Sequence, residues 1–307
     1  MRVVFFGTPA IALAALEALL GSHHEVTGVV TQPDRPRGRS GAPQPSPVKD
    51  AAVAAAVPVL QPVSPKDQGF ARALAARAPD ACAVVAYGHL LPPAVLAIPP
   101  KGTVNVHFSL LPRWRGAAPV QRAIMAGDAR TGVSVFVLEP TLDTGPVIDV
   151  TDVPIDPDDT AGTLLERLAP IGAGALLRAL DAIESGQAKP VPQQSGGATP
   201  APKIKPEEGL IDWSQPAGQI RNRIRALNPS PGAFTFFRGE RLKVWAAAER
   251  PGDGSPGAFL GSADALVVAA GDGALEVLQV QPGGKRRMSG AEFARGRRPS
   301  AEDHFGA

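Results

Sequence analysis

Cysteine is almost missing from these 307 residues: Cys82 stands alone. A single cysteine excludes a disulfide framework and any cysteine-built metal centre. Its place in the apolar run Ala81 to Ala86 makes it a small core residue. The five histidines show no ligand spacing, so no metal is expected. Long apolar runs are absent as well. None reaches the length that spans a bilayer, and no membrane association is expected. Arg2-Val3-Val4-Phe5-Phe6 leads straight into Gly7, which reads as a strand and not as a signal peptide. A reducing cytoplasm fits these absences. No charge of one sign prevails: 31 Lys+Arg face 29 Asp+Glu, and a net charge of +2 does not by itself announce a nucleic-acid partner. The distribution is less even. Residues 203–307 hold 15 Lys+Arg against 12 Asp+Glu, whereas residues 1–202 hold 16 against 17, so the C-terminal third is the weakly basic part. No internal repeat is found.

The composition, 44% hydrophobic and 20% charged, describes a soluble globular chain long enough for two domains, each with its own core. A buried strand at Val3 to Phe6, a helix from Ala10 to Leu20 and a second strand at Glu25 to Thr31 form a βαβ opening, which predicts a parallel sheet. Gly7-Thr8-Pro9-Ala10 lacks the three glycines that seat a pyrophosphate, so no bound dinucleotide is expected. Residues 32–47 form a loop rich in Pro, Gly and Arg, after which Ser46-Pro47 caps a helix. From composition alone that loop is a solvated surface segment before it is anything else. An Ala-rich helix at Asp67 to Ala78, strands at Ala81 to Ala86 and Thr131 to Leu138, and a long helix at Thr160 to Ser185 follow. Residues 188–202, rich in Pro and Gly, read as a linker. Beyond it, Ser214 caps a helix to Leu227, and short strands at even spacing predict a small barrel of the OB type. Ser289 and Glu292 have capping-box spacing for a last helix.

The most informative stretch runs from Thr103 to Pro119. Thr103 to His107 alternates as a strand does, which points Asn105 and His107 to one side. Prolines at 112 and 119 with Gly116 between them exclude regular structure in the loop that follows. From this stretch alone, a core histidine with a turn-forming asparagine stands level with a site at a sheet rim. Asp143, which follows the strand Thr131 to Leu138, shifts the balance. If the two strands are neighbours, its carboxylate reaches the imidazole and raises its pKa. An Asn donor, a His acid and an Asp proton carrier suit acyl transfer to an amine: Asn105 and His107 stabilise an oxyanion while Asp143 accepts a proton. No Ser or Cys nucleophile stands beside His107, which disfavours a covalent triad.

The run Asn105-Val106-His107-Phe108-Ser109-Leu110-Leu111-Pro112-Arg113-Trp114-Arg115-Gly116-Ala117-Ala118-Pro119, with Leu142-Asp143-Thr144-Gly145, resembles the folate-dependent formyltransferase family. Phe6-Gly7-Thr8-Pro9, Thr31-Gln32-Pro33-Asp34, Ala86-Tyr87-Gly88 and Ile211-Asp212-Trp213 extend the resemblance over nearly the whole chain. It implies transfer of the formyl group of 10-formyltetrahydrofolate, a co-substrate, to the α-amine of initiator methionyl-tRNA. It implies an α/β fold: an N-terminal Rossmann-like parallel-sheet formyltransferase domain (1–187), the linker 188–202, and a C-terminal OB-like β-barrel domain that binds tRNA (203–307). The catalytic residues it implies are Asn105, His107 and Asp143. Folate contacts fall on Ser109, Leu110, Leu111 and Pro112, and on Tyr87, Gly88, Leu90, Leu138 and Leu142 around the pterin. The RNA-entering loop falls on residues 32–47, with Arg37 and Arg39, and Lys203 sits at the domain junction. To these the charge pattern adds Lys205 and the cluster Lys285-Arg286-Arg287, which reads equally as a solvated charge run. A monomer is expected. Two other readings compete: a formyltransferase acting on a small amine, such as a purine precursor or an amino sugar, and a non-catalytic RNA-binding protein. The basic second domain argues against the first, and the complete Asn105, His107 and Asp143 set against the second.

Overall fold

Val3, Val4, Phe5 and Phe6 have no exposed surface. Consecutive apolar residues buried on both faces are what a central strand of a parallel sheet requires. Strand β1 (Arg2–Gly7) holds that place in the computed structural model, which describes residues 1–36, 41, 43–194 and 196–306. The chain divides into two compact units: Met1–Pro119, Arg130–Pro154 and Leu165–Pro202 form the first, and Val120–Ala129, Ile155–Leu164 and Lys203–Ala307 the second.

In the first unit, β1 is followed by helix α1 (Leu13–Leu20) and strand β2 (Glu25–Val30). Helix α2 (Pro47–Ala54) starts where the Ser46 hydroxyl accepts the Lys49 N–H at 3.1 Å and Pro47 fills the first helical position. Strand β3 (Val59–Leu60), helix α3 (Gln68–Ala75), and strands β4 (Ala81–Val85), β5 (Thr103–His107), β6 (Arg130–Val137) and β7 (Val147–Pro154) complete the layer. The sheet order is β7-β6-β5-β4-β1-β2-β3. Strands β1 to β5 are mutually parallel, while β6 runs antiparallel to β5 and β7 antiparallel to β6. The fold is therefore mixed α/β with a sheet dominated by parallel strands. The order reverses beside β1, and the carboxyl ends of strands at such a point open a crevice for ligands.

Three expectations change. Strand β7 was not foreseen, because it is an edge strand whose residues are mostly half-buried or exposed and whose apolar alternation is weak. The loop from Pro112 to Pro119 is not wholly irregular: Arg115–Gly116 pairs in parallel with Pro200–Ala201. That pairing, together with the Val147–Val191 bridge, builds the expected linker 188–202 into the first unit. Its prolines stop helix and strand extension without freeing the segment.

The second unit is rich in strands. Ile220, Ile224 and Leu227 of and beside helix Ala217–Ala226 are buried with Val244, Val268, Leu275 and Val280 of an antiparallel sheet. Ser214 does not cap that helix. Its hydroxyl donates to Asp212 at 2.6 Å, and the helix begins after Pro216. Ser289 and Glu292 do form the capping box of helix Gly290–Arg297.

Candidate active site

The period-two alternation of β5 leads both Asn105 and His107 to one cavity of about 440 Å³ at the carboxyl ends of β4 and β5. Asp143 lines the same cavity from the turn between β6 and β7. His107 and Asp143 are nearly buried, at 6% and 8% exposure. The Asp143 Oδ2 atom stands 3.8 Å from His107 Nδ1, beyond a direct hydrogen bond but close enough for strong electrostatic coupling.

The other imidazole nitrogen, Nε2, lies 2.8 Å from the carbonyl oxygen of Trp114. A carbonyl only accepts, so Nε2 carries the proton and Nδ1 of the neutral ring presents a lone pair toward Asp143. Burial pushes the imidazole below its usual pKa. The Asp143 carboxylate and the Trp114 carbonyl pull upward and do not offset it. Asp143 does pull the pKa upward, as expected, but desolvation of a nearly buried ring outweighs one nearby carboxylate and the net direction is down.

A backbone ring holds Asp143 in place. Its Oδ2 accepts the Gly116 N–H at 2.8 Å. The Gln193 side-chain amide donates to the carbonyls of Asp143 at 2.9 Å and Gly145 at 2.8 Å, while Gln193 Oε1 accepts from Arg115 at 3.0 and 2.7 Å. Gly116 has φ +130°, and a Cβ there would stand 2.5 Å from the Ala201 carbonyl oxygen. A Cβ on Gly145 would stand 1.8 Å from the Val137 carbonyl oxygen. Both positions require glycine. Gln193 was not identified from the sequence; it lies in a stretch read as linker, and no periodicity marks it.

Tyr87, Gly88, Leu90, Leu138 and Leu142 all line the cavity. Leu90 is 62% and Leu142 53% exposed, unusual for leucines at a cavity mouth and suited to covering a flat apolar ligand. Ser109, Leu110, Leu111 and Pro112 follow β5 directly and are not among the residues that line the cavity. The Ser109 hydroxyl donates inward to the Arg113 carbonyl at 2.6 Å, closing the turn after β5, and Leu110 packs against Gly132. Glu139 and His89, which belong to the same two segments, Tyr87 to Leu91 and Leu138 to Leu142, line the cavity as well.

Residues 1–180 match the formyl transferase family and residues 203–298 the formyl transferase C-terminal domain. The chain belongs to the formyl transferase family. It is 47% identical over 309 residues to a methionyl-tRNA formyltransferase of Streptomyces coelicolor, covering all of both chains. Among solved structures it resembles HypX from Aquifex aeolicus in complex with tetrahydrofolic acid, with a TM-score of 0.66, 20% identity and coverage of 96% of this chain. It spans 47% of that HypX chain, about half its length. It also resembles an N-formyltransferase from Helicobacter canadensis in complex with folinic acid and dTDP-3-aminofucose, with a TM-score of 0.66, 16% identity and coverage of 92% and 99%. These two likenesses bear on the fold.

Among the tRNA candidates, Lys203 and Lys205 are exposed in the second unit, as are Lys285, Arg286 and Arg287. The Arg287 guanidinium lies 3.8 Å above the Trp245 ring, which Lys243 also approaches at 5.1 Å. Arg37 and Arg39 lie outside the described residues. No helix is long and apolar enough to cross a membrane among the described residues.

Proposed function

We propose that this protein transfers the formyl group of 10-formyltetrahydrofolate to the α-amine of initiator methionyl-tRNA, in the cytoplasm and as a monomer. The observation that carries the reading is the nearly buried His107 and Asp143 pair facing a cavity shared with Asn105. The full-length likeness to methionyl-tRNA formyltransferases supports the acceptor. A cavity of about 440 Å³ with leucines at its mouth fits the flat bicyclic ring of a folate.

When bound, the folate supplies an electrophilic formyl carbon. The lone pair of His107 Nδ1 accepts the proton that the attacking amine must lose, and the Asp143 carboxylate stabilises the imidazolium that results. Nε2 keeps its proton on the Trp114 carbonyl, so the ring does not turn as Nδ1 is charged. The same Nδ1 proton is then available to the departing nitrogen. The Asn105 amide donates to the developing oxyanion. Tyr87, Gly88, Leu90, Leu138 and Leu142 hold the pterin.

We assign Gln193 as a positioning residue acting through Asp143. Gln193→Ala should lower turnover about tenfold with little change in the Michaelis constant for folate, because the carboxylate shifts while the cavity walls stay. Parallel changes in turnover, folate constant and melting temperature would mean a structural role only.

The tRNA contacts fall on Arg37, Arg39, Lys203, Lys205, Lys285, Arg286 and Arg287. The test combines purified protein, 10-formyltetrahydrofolate and methionyl-tRNA and measures formylmethionyl-tRNA, with an amino sugar and a purine-precursor amine as competing acceptors. Formylation of the small amines alone would overturn the reading. Neutralising Lys285, Arg286 and Arg287 together should raise the apparent Michaelis constant for tRNA at unchanged turnover. It should also flatten the salt dependence of binding by about one log–log unit per lost phosphate contact.

A further inference from the structure

Away from the cavity, at the amino ends of the parallel strands, two histidines and two carboxylates come together. His23 and His24 close the turn before β2, and Asp181 and Glu184 lie one turn apart near the end of the helix Ala161–Glu184. One ligand atom from each of the four lies within 4.8 Å of all the others. We propose that His23, His24, Asp181 and Glu184 bind one divalent transition-metal ion of the zinc class.

The strongest observation is His24. Its side chain has no exposed surface, and its Nε2 makes no well-aligned hydrogen bond among the described residues although Asp181 Oδ1 lies 3.1 Å away. An unpartnered buried polar nitrogen costs free energy unless something satisfies it. His23 Nε2 lies 2.7 Å from Glu184 Oε2 and 3.7 Å from Asp181 Oδ1. The two rings, with centroids 4.1 Å apart, lie side by side against the same helix. Zinc–ligand bonds near 2.0–2.2 Å give tetrahedral edges of about 3.4 Å, and the separations of 2.7, 3.1 and 3.7 Å bracket that value. Small movements of the exposed His23 and Asp181 side chains would complete the tetrahedron.

The donor set decides the ion. Two imidazoles and two carboxylates suit zinc and its neighbours, whereas calcium and magnesium take oxygen ligands in greater number. The Met1 ammonium lies 2.7 Å from Glu184 Oε1 and 3.3 Å from His24 Nδ1, so these two residues would reach the ion through their other atoms, Oε2 and Nε2. The site would staple the amino terminus, the turn before β2 and the end of the long helix. That role is structural: these residues lie at the opposite end of the strands from His107. Local spacing could not find the site, because the histidines and the carboxylates are about 160 residues apart in the chain.

The test uses the full chain, stripped with a chelator and titrated with zinc chloride by calorimetry and by thermal melting. One ion should bind per chain with a dissociation constant in the micromolar range or below, and the melting temperature should rise by several degrees at a hundredfold excess over that constant. His23→Ala and Asp181→Asn, both at exposed positions, should each weaken binding at least about tenfold, and the double variant should lose the thermal shift while keeping formyl transfer. Absence of saturable binding below about 1 mM zinc would overturn the proposal. So would equal affinity in the double variant, which would put the ion elsewhere.

Discussion

His107→Ala should lower formyl transfer by about 10²-fold or more while methionyl-tRNA still binds. The substitution removes the imidazole that, among the described residues, stands as the uncharged base beside Asp143. It leaves the other residues that line the cavity, Tyr87, Leu90, Leu138 and Leu142 among them, in place, so the loss should appear in turnover. The pH profile gives an independent reading. Burial holds the folded imidazole below its ordinary value of 6.5, and the neutral ring is the working form. Turnover at saturating substrates should therefore be near its plateau at pH 7 and fall only as pH drops below about 6.5. His107→Ala should abolish that acidic limb along with the rate. A limb centred above pH 7 that disappears in His107→Ala would mean a raised imidazole pKa and an acid role. Near-normal turnover in the variant would remove His107 from the chemistry altogether.

Much of this site was legible because its signals are local. Asn105 and His107 sit two apart on a strand whose alternation is plain, and geometry alone then sends them to one side. Asp143 could be attached because the strand before it, β6, does lie beside β5. The sheet core was legible for a similar reason: Val3 to Phe6 and Ala81 to Val85 are unbroken apolar runs of strand length. What escaped depends on contacts that no window of sequence contains. The Trp114 carbonyl that fixes the His107 tautomer is a backbone group, and composition says nothing about where it points. Gln193 meets Asp143 from 50 residues away, inside a stretch whose prolines argue for a linker. Ser109 carries an expected folate contact from the family resemblance alone, and its hydroxyl closes the turn after His107, a backbone contact that the resemblance does not describe. The sign of the His107 shift was missed because sequence names the nearby charge and not the depth of burial.

Asp143→Asn isolates the charge of the pair from its geometry. The amide oxygen can still accept the Gly116 N–H, and the backbone carbonyl still receives Gln193, so the turn should keep its shape. What disappears is the carboxylate that stabilises a charged imidazole 3.8 Å away. Turnover should fall by about 10²-fold, comparable to the loss of a catalytic acid or base. The Michaelis constants for folate and tRNA should change little. The second consequence has a fixed sign. Asp143 favours protonated His107, so its neutralisation lowers the imidazole pKa further, and the acidic limb of the profile should move to still lower pH. A purely structural defect would raise the Michaelis constants and lower the melting temperature along with the rate. A lower rate with the limb in place would instead mean that Asp143 acts on the substrate amine directly, leaving His107 to the oxyanion. Retention of normal turnover would show that the pair is not the catalytic unit.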